Sequence, residues 1–165
     1  MDLSQGVPIQ IHLETFVTQG EDNETHVFDE PGTLVQMGNA LYIRYQEVDE
    51  DAGTSMPVTM KLREDGEDAG TSMPVTMKLR EDGDVQLSRG SSNGDTQLKL
   101  FFANEKRVLT RYRTPYGIIP VETVTPRIDV RMTTEPVAGE VYIEYQLFAN
   151  NQHLGDYRLR LQFNA

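Results

Sequence analysis

The feature that most constrains the fold of this chain is the one-by-one alternation of apolar and polar residues. A period of two is typical of β-strands that place one face on a core. The alternation recurs along the whole length, in the segments 9–13, 41–46, 75–80, 98–102, 127–132, 141–147 and 157–163. No window of helical length keeps the period of an amphipathic helix. The sequence therefore predicts an all-β fold.

Turn-forming residues such as Asp82-Gly83 and Asn150-Asn151 separate the alternating segments and divide the chain into about ten predicted strands. The links between segments are short, which indicates an antiparallel meander of hairpins. A long meander leaves unpaired edges, and closure into a barrel removes them. We predict a single domain over residues 1–165, formed by one antiparallel β-barrel of about 8–10 strands. A two-sheet sandwich is the alternative.

Residues 50–66 and 67–83 carry the same seventeen letters, EDAGTSMPVTMKLREDG, without a substitution. Solenoid folds need about three or more repeats, so two copies indicate an insertion into an otherwise complete domain. In an antiparallel meander each strand reverses the chain direction, so one added strand would reverse all the later ones. We therefore predict that one copy forms a strand of the barrel and that the other lies outside its hydrogen-bonded ladder.

The turn that follows the duplication favours the second copy as the barrel strand. In that arrangement Asp82-Gly83 forms a two-residue hairpin to the next segment, and the inserted residues lengthen a loop that is already long. Loop-closure scaling favours it by about 1 kcal/mol. We therefore predict that the side chains of Val75, Met77 and Leu79 are buried in the barrel. The corresponding side chains of the first copy, Val58, Met60 and Leu62, are the spare set. An exposed spare copy is expected to stay mobile or to pair with another strand, which offers a route to a homodimer or a domain swap.

Composition limits the classes of function. The formal charge of −11 argues against a nucleic-acid partner, because such binding depends on clustered Lys and Arg. The chain has no cysteine, which excludes disulfides and favours a reducing compartment. The N-terminal residues lack the pattern of a signal peptide, and no apolar segment approaches the length of a membrane helix. We expect a cytoplasmic protein that binds neither nucleic acid nor membrane.

No constellation in the sequence indicates catalysis or metal binding. His12, His26 and His153 are far apart and have no cysteine partners. The acidic run 64–68 lacks the ligand spacing of a calcium loop. No nucleophile elbow is present. We therefore expect a protein that is not an enzyme, with no catalytic residue, no metal and no cofactor.

Two groups of residues are candidates for ligand binding. The inward phase of the strands is predicted to hold only apolar residues and tyrosines, with no clear buried charge, and Tyr45 and Tyr145 could orient a guest in a barrel cavity. The segment 111–126 is interrupted by prolines, which predicts an edge, bend or lid, and it mixes cations with aromatics in Arg111, Arg113 and Tyr116. One hypothesis is a module that binds a small apolar or amphipathic molecule. The other is a filled barrel that acts as a structural or protein-interaction module without ligand.

Four stretches carry a family resemblance: GVPIQIHLET, FDEPGTLVQMGNALYIRYQE, TQLKLFFANEKRVLTRYRTPYGIIPVETVTPRIDV and EVYIEYQLFANNQHLGDYRLRLQF. They resemble the YwiB-like family of bacterial proteins over nearly the whole chain apart from one duplicate. The resemblance implies a calycin-like, lipocalin-like antiparallel barrel in a cytoplasmic bacterial protein. It brings no established activity and no functional residues. True lipocalins carry a Trp in the first strand, and this chain has no Trp, so their ligand chemistry does not transfer.

Overall fold

The computed structural model describes residues 3–48, 72–90, 97–114 and 116–165, and almost all of them lie in strands. A short 3-10 helix at Leu3–Gln5 precedes the first strand. The strands are β1 (Val7–Gln19), β2 (Asp22–Met37), β3 (Ala40–Val48), β4 (Ser72–Leu79), β5 (Val85–Arg89), β6 (Leu98–Phe102), β7 (Arg107–Thr114), β8 (Gly117–Thr134), β9 (Val137–Ala149) and β10 (Gln152–Asn164). The prediction of an all-β chain is confirmed.

The ten strands form one antiparallel sheet in the order β6-β5-β4-β3-β2-β1-β10-β9-β8-β7. Apart from β6 and β7, which lie at the two ends of this order, consecutive strands pair with each other, and β1 also pairs with β10, from Gln10 opposite Asn164 to Thr18 opposite Asp156. This meander curls into a nearly closed barrel and confirms the predicted fold. The ten strands of the described residues fall within the predicted range of about 8–10.

The barrel closes least completely between β6 and β7, which we call the β6–β7 seam. The backbones of Gln97 and Arg113 exchange two hydrogen bonds of 2.9 Å at one end of the seam. The Thr123 hydroxyl donates to the Phe101 carbonyl oxygen at 2.7 Å, which ties β8 to β6 across it. The second half of β7 opens the segment 111–126, which the prolines marked as an edge, bend or lid, and the register of β8 shifts between Val124 and Arg127. The predicted irregularity therefore lies beside the seam.

Inward side chains from every strand form one core, as period-two alternation requires. In β1 the odd-numbered residues from Val7 to Val17 are buried, and the same alternation holds along β10. Two strand glycines permit close approach of the backbone. A Cβ on Gly32 would lie 2.5 Å from Ile11 Cδ1 and 2.7 Å from the Arg44 carbonyl oxygen, and Gly139 is confined in the same way by Phe163. Only glycine fits at these positions.

The second copy of the duplicated segment supplies β4. Met77 lies opposite Ile43 of β3 and opposite Leu87 of β5, so a single strand separates β3 from β5. Val75, Met77 and Leu79 are buried, as predicted. The first copy, with Val58, Met60 and Leu62, lies outside the described residues, so its exclusion from the ladder stays a prediction.

The turn after β4 differs from the predicted two-residue hairpin. The Arg80 amide donates to the Asp84 carbonyl oxygen at 3.0 Å, which leaves Glu81, Asp82 and Gly83 as a three-residue loop. The Gly83 amide donates to the Arg80 carbonyl oxygen at 3.0 Å, and Gly83 has a φ of 95°. A type I turn followed by a left-handed glycine is the usual three-residue hairpin. The sequence signal located the turn correctly but gave the wrong loop length.

Candidate functional site

The structure separates the two predicted groups of ligand-binding residues. Tyr45 and Tyr145 point into the barrel and are buried. Arg111 is exposed, Arg113 is half-buried, and Tyr116, in the turn after β7, is 69% exposed. The basic and aromatic residues therefore lie on the outer side of the seam and do not converge with the interior tyrosines.

The inward residue of this stretch is Tyr112, which sequence reasoning did not single out as a site residue. Its side chain is fully buried, and it pairs with Ile119 across the β7–β8 hairpin. Alternation within β7 turns Arg111 and Arg113 outward and Tyr112 inward. The same alternation was the available signal, and the nearby prolines obscured it.

A second correction concerns the interior charge, because the strands were expected to place no charged residue inward. Arg89 ends β5 in phase with the buried Val85 and Leu87, and only 5% of its surface is exposed. Its register partners on the neighbouring strands, Val75 and Leu98, are also buried. The alternation of β5 predicts this orientation, but the adjacent turn signal made Arg89 resemble a loop residue.

Aromatic rings line the interior of the barrel. The Tyr145 ring stacks on the Tyr157 ring, with centroids 4.9 Å apart and planes inclined by 6°. The Phe102 ring lies 4.6 Å from Tyr145 on a neighbouring part of the wall. Offset stacking of this kind adds about 0.5–1.5 kcal/mol beyond the area that it buries. These contacts hold the Tyr145 ring in a fixed orientation.

Burial keeps these phenols neutral. It raises the pKa of Tyr112 to about 12, and the positive charge of Arg89 opposes part of that rise. Burial likewise raises the pKa of Tyr145. The neighbouring phenols of Tyr157 and Tyr45 add to this rise, and the positive charge of Arg89 opposes it. The same cause raises the pKa of Tyr157. We call Tyr45, Arg89, Tyr112, Tyr145 and Tyr157 the interior polar cluster. At neutral pH it offers one guanidinium and several phenol O–H donors.

Two hydroxyls of the interior polar cluster, those of Tyr112 and Tyr157, are buried with no partner at standard hydrogen-bond geometry among the residues that the structure describes, although the Gln19 side chain lies near enough to the Tyr157 hydroxyl to oppose part of the rise in its pKa. The hydroxyl of Thr125, in β8, is in the same situation. A buried polar group left in this state costs about 1–3 kcal/mol. By contrast, the neighbouring Thr123 hydroxyl donates to the Phe101 carbonyl oxygen. The interior therefore holds unused donors within an apolar wall.

The three histidines lie on the outside, each with its own acidic neighbour. His12 Nδ1 lies 2.7 Å from an Asp29 carboxylate oxygen, and His12 Nε2 lies 3.3 Å from a Glu14 carboxylate oxygen. Both hydrogen bonds raise the pKa of His12, and the bond to Asp29 has the larger effect. His153 Nε2 lies 2.9 Å from Asp156. Within the described parts of the chain, no three His, Asp or Glu side chains are grouped to hold a metal ion. None of the described helices is long and apolar enough to cross a membrane.

Arginines on the outer face of the barrel pair with acids and rings. Arg127 and Arg160 lie over the Tyr142 ring, 5.3 and 5.1 Å from its centroid. Arg127 Nε donates to Asp129 of its own strand at 2.7 Å, although Glu144 is its register partner. Exposed pairs of this kind contribute at most about 1 kcal/mol each. These contacts hold the arginine side chains against the outer face of the sheet.

Comparison with known proteins identifies the family. The family model described as Domain of unknown function (DUF1934) matches residues 11–69 and 63–161, and the two matches meet within the duplicated segment. The crystal structure of the YwiB protein from Bacillus subtilis has the same fold, with a TM-score of 0.73 and 17% identity over 98% of this chain and 93% of that one. No curated protein matches. The resemblance found in the sequence is confirmed, and the chain belongs to the family of the Domain of unknown function (DUF1934).

Proposed function

We propose that this protein is a non-enzymatic cytoplasmic barrel that binds a small amphipathic molecule in its interior. The observation that carries the proposal is the pair of buried Tyr112 and Tyr157 hydroxyls without partners at standard hydrogen-bond geometry among the described residues. Phenylalanine at both positions would keep the aromatic packing and avoid the cost of a buried unsatisfied hydroxyl. A guest with polar atoms would give these hydroxyls a use. Tyr45 and Tyr145, the residues predicted to orient a guest, belong to the same cluster.

The apolar part of the guest would lie against the rings of Phe102 and the Tyr145–Tyr157 stack. Because the inward side chains are packed closely, the guest must displace some of them or enter as the barrel opens. The β6–β7 seam is the natural entry, since its strands are joined by the Gln97–Arg113 bridge and not by a full ladder. Separating them breaks fewer backbone hydrogen bonds than separating β1 from β10.

The alternative is a filled barrel that acts only through its surface, as a structural or interaction module. Its support is the exposed apolar strip on the β7–β8 hairpin, where Leu109 and Ile118 are each 61% exposed. Arg111, Arg113 and Tyr116 lie on or beside this strip and would then contact a protein partner instead of a small molecule. A homodimer or a domain swap through the first copy of the duplicated segment is a further form of this proposal, and light scattering across a concentration series tests it. The net charge of −11 supports the absence of a nucleic-acid partner.

Mass spectrometry separates the two proposals. Protein purified from cells is sprayed under native conditions, and its mass is compared with that of the denatured chain. We expect an additional small mass under native conditions, and we expect the Y112F/Y157F double variant to carry less of it. The exposed-face variant Y142F is the matched control and should retain it. A native mass equal to the denatured mass, for protein that is folded by circular dichroism, would favour the filled barrel.

A further inference from the structure

We propose that the exposed apolar strip of the β7–β8 hairpin is the docking surface for the first copy of the duplicated segment, which lies on it as an amphipathic strand. The strip is on the outer face of the barrel, so this role is independent of a guest in the interior. It gives the spare copy a place in the molecule and covers the strip with a segment of the same chain.

The strip is a continuous apolar surface on the outward side of the hairpin. Arg111 lies opposite Pro120 in the register of the two strands. Leu109, two residues before Arg111, is therefore the diagonal neighbour of Pro120, and Ile118 is the next outward residue along β8. Four residues of β7 separate Leu109 from the position opposite Ile118, so the strip is about 13 Å long. Tyr116, 69% exposed, extends it at the turn. Clustered apolar exposure of this kind marks an interaction surface.

The first copy carries a complementary apolar face. Its sequence is identical to that of β4, in which the alternating side chains from Val75 to Leu79 are buried in the core. The same alternation gives the first copy an apolar face from Val58 to Leu62, centred on Met60. At the rise of a strand this face is also about 13 Å long. Its length therefore matches that of the strip.

The chain on either side of the first copy is long enough to reach the strip. Residues 49–71 join Val48 of β3 to Ser72 of β4, which lie opposite each other. The end of β3, the start of β4 and the end of β7 share one end of the barrel, because β5 and β6 pair in register between them and the seam bridge follows. Along the sheet, the hairpin is about 15 Å from β4 and about 19 Å from β3. Residues 64–71 span up to about 26 Å and residues 49–55 up to about 23 Å.

The charges of the two parts are complementary. Residues 49–71 contain seven acidic and two basic residues, a formal charge of −5. Residues 107–122 of the hairpin contain three arginines and one glutamate, a formal charge of +2. Arg111 is exposed beside the strip, and Arg107 lies 3.3 Å from Glu122. Acidic residues flank the apolar run of the first copy on both sides, so they come close to these arginines when the apolar faces meet.

Attachment to the same barrel favours the first copy over other occupants. A flexible linker of this length gives the tethered strand a roughly millimolar effective concentration. The same strand in a second copy of the protein would have to reach that concentration in solution to compete. A protein partner for the strip must therefore displace the first copy.

Disulfide trapping tests the docking site, because the chain has no cysteine and introduced pairs react without competition. The test pair is Met60→Cys with Ile118→Cys. The control pair is Met60→Cys with Val27→Cys, since Val27 is 53% exposed on β2, the neighbour of β3. Val27 is therefore nearer than the hairpin to the start of the segment, and an undocked strand would reach it at least as easily. Under mild oxidation at micromolar protein, we expect the test pair to form an intramolecular cross-link at least about tenfold faster than the control pair.

Charge reversal gives a second measurement on the same test pair. Arg111→Glu should slow the cross-link by about threefold at low salt and by less at high salt, because the attraction between exposed charges is screened. Arg131→Glu, at an exposed position near the other end of β8, is the control and should leave the rate unchanged. Equal cross-linking rates for the Ile118 and Val27 pairs would refute the docking site. A cross-link that forms only between molecules would refute it as well and would assign the strip to a second copy of the protein.

Discussion

Truncation of Met77 tests which copy of the duplicated segment forms the barrel strand. Met77 is fully buried between Ile43 and Leu87, so Met77→Ala removes packing from the centre of the core. A buried Met→Ala change in an ordinary protein costs about 2–5 kcal/mol. This chain contains a second, identical strand sequence at residues 50–66, in which Met60 holds the place of Met77. The matched variant is therefore Met60→Ala.

The duplication limits how much stability Met77→Ala alone can remove. If Met77→Ala weakens the second copy, the first copy can replace it with identical packing, at the expense of a longer loop before β5. Loop-closure scaling puts that expense at about 1 kcal/mol. We therefore expect Met77→Ala to cost about 1 kcal/mol, and Met60→Ala to cost only a few tenths, because it acts on the less populated arrangement. The double variant should cost about 2–5 kcal/mol, since no intact copy remains.

Urea unfolding followed by circular dichroism measures all four proteins of this cycle. A double variant that loses clearly more than the sum of the singles would support replacement of one copy by the other. A loss of unfolding free energy from Met60→Ala that equals or exceeds the loss from Met77→Ala would refute the assignment of the second copy to the barrel strand. A loss from Met77→Ala as large as that of the double variant would show that the first copy cannot enter the ladder.

Three further predictions concern single residues. Burial raises the pKa of Tyr112 from 10.0 to about 12, so the stability that the neutral phenol contributes is full below pH 10 and is lost as the pH rises through about 12. Between pH 9 and pH 11 the urea midpoint should therefore fall more for the wild type than for Tyr112→Phe. Equal falls in the two proteins would contradict the raised pKa. Gly32→Ala forces a Cβ to within 2.7 Å of the Arg44 carbonyl oxygen, so it should lower the free energy of unfolding by about 1–3 kcal/mol, and an unchanged midpoint would show that the strands can separate at no cost. NMR titration should place the pKa of His12 above the ordinary 6.5, and Asp29→Asn should lower it; a His12 pKa that ignores this change would mean that the hydrogen bond does not form in solution.

Period-two alternation predicted most of this fold because each strand has one face on a single core. It identified the strands and their inward faces, whereas the closure of the meander followed from its unpaired edges and the choice of the second copy followed from the position of the Asp82-Gly83 turn. It did not give the length of the loop at Gly83, which depends on a left-handed glycine and on the pairing of Arg80 with Asp84. Turn signals show where a chain reverses more clearly than how many residues the reversal uses.

The candidate site was only partly predictable, for a related reason. Tyr45 and Tyr145 sit in the middle of long alternating segments, where the inward phase is clear. Arg89 ends a short strand beside a turn, and Tyr112 lies between two outward arginines close to prolines, so local turn and charge signals outweighed the phase in both cases. The convergence of β5, β7 and β9 on one interior cluster depends on barrel closure, which brings distant segments together.

The most direct test of this account is a crystal structure of the protein grown with decanoate. The account predicts electron density for the ten-carbon chain of decanoate inside the barrel, against the Tyr145–Tyr157 stack, with a head-group oxygen within hydrogen-bonding distance of the Tyr112 hydroxyl. Decanoate bound only on the exposed strip of the β7–β8 hairpin, or an interior closed by the protein's own side chains at saturating decanoate, would contradict it.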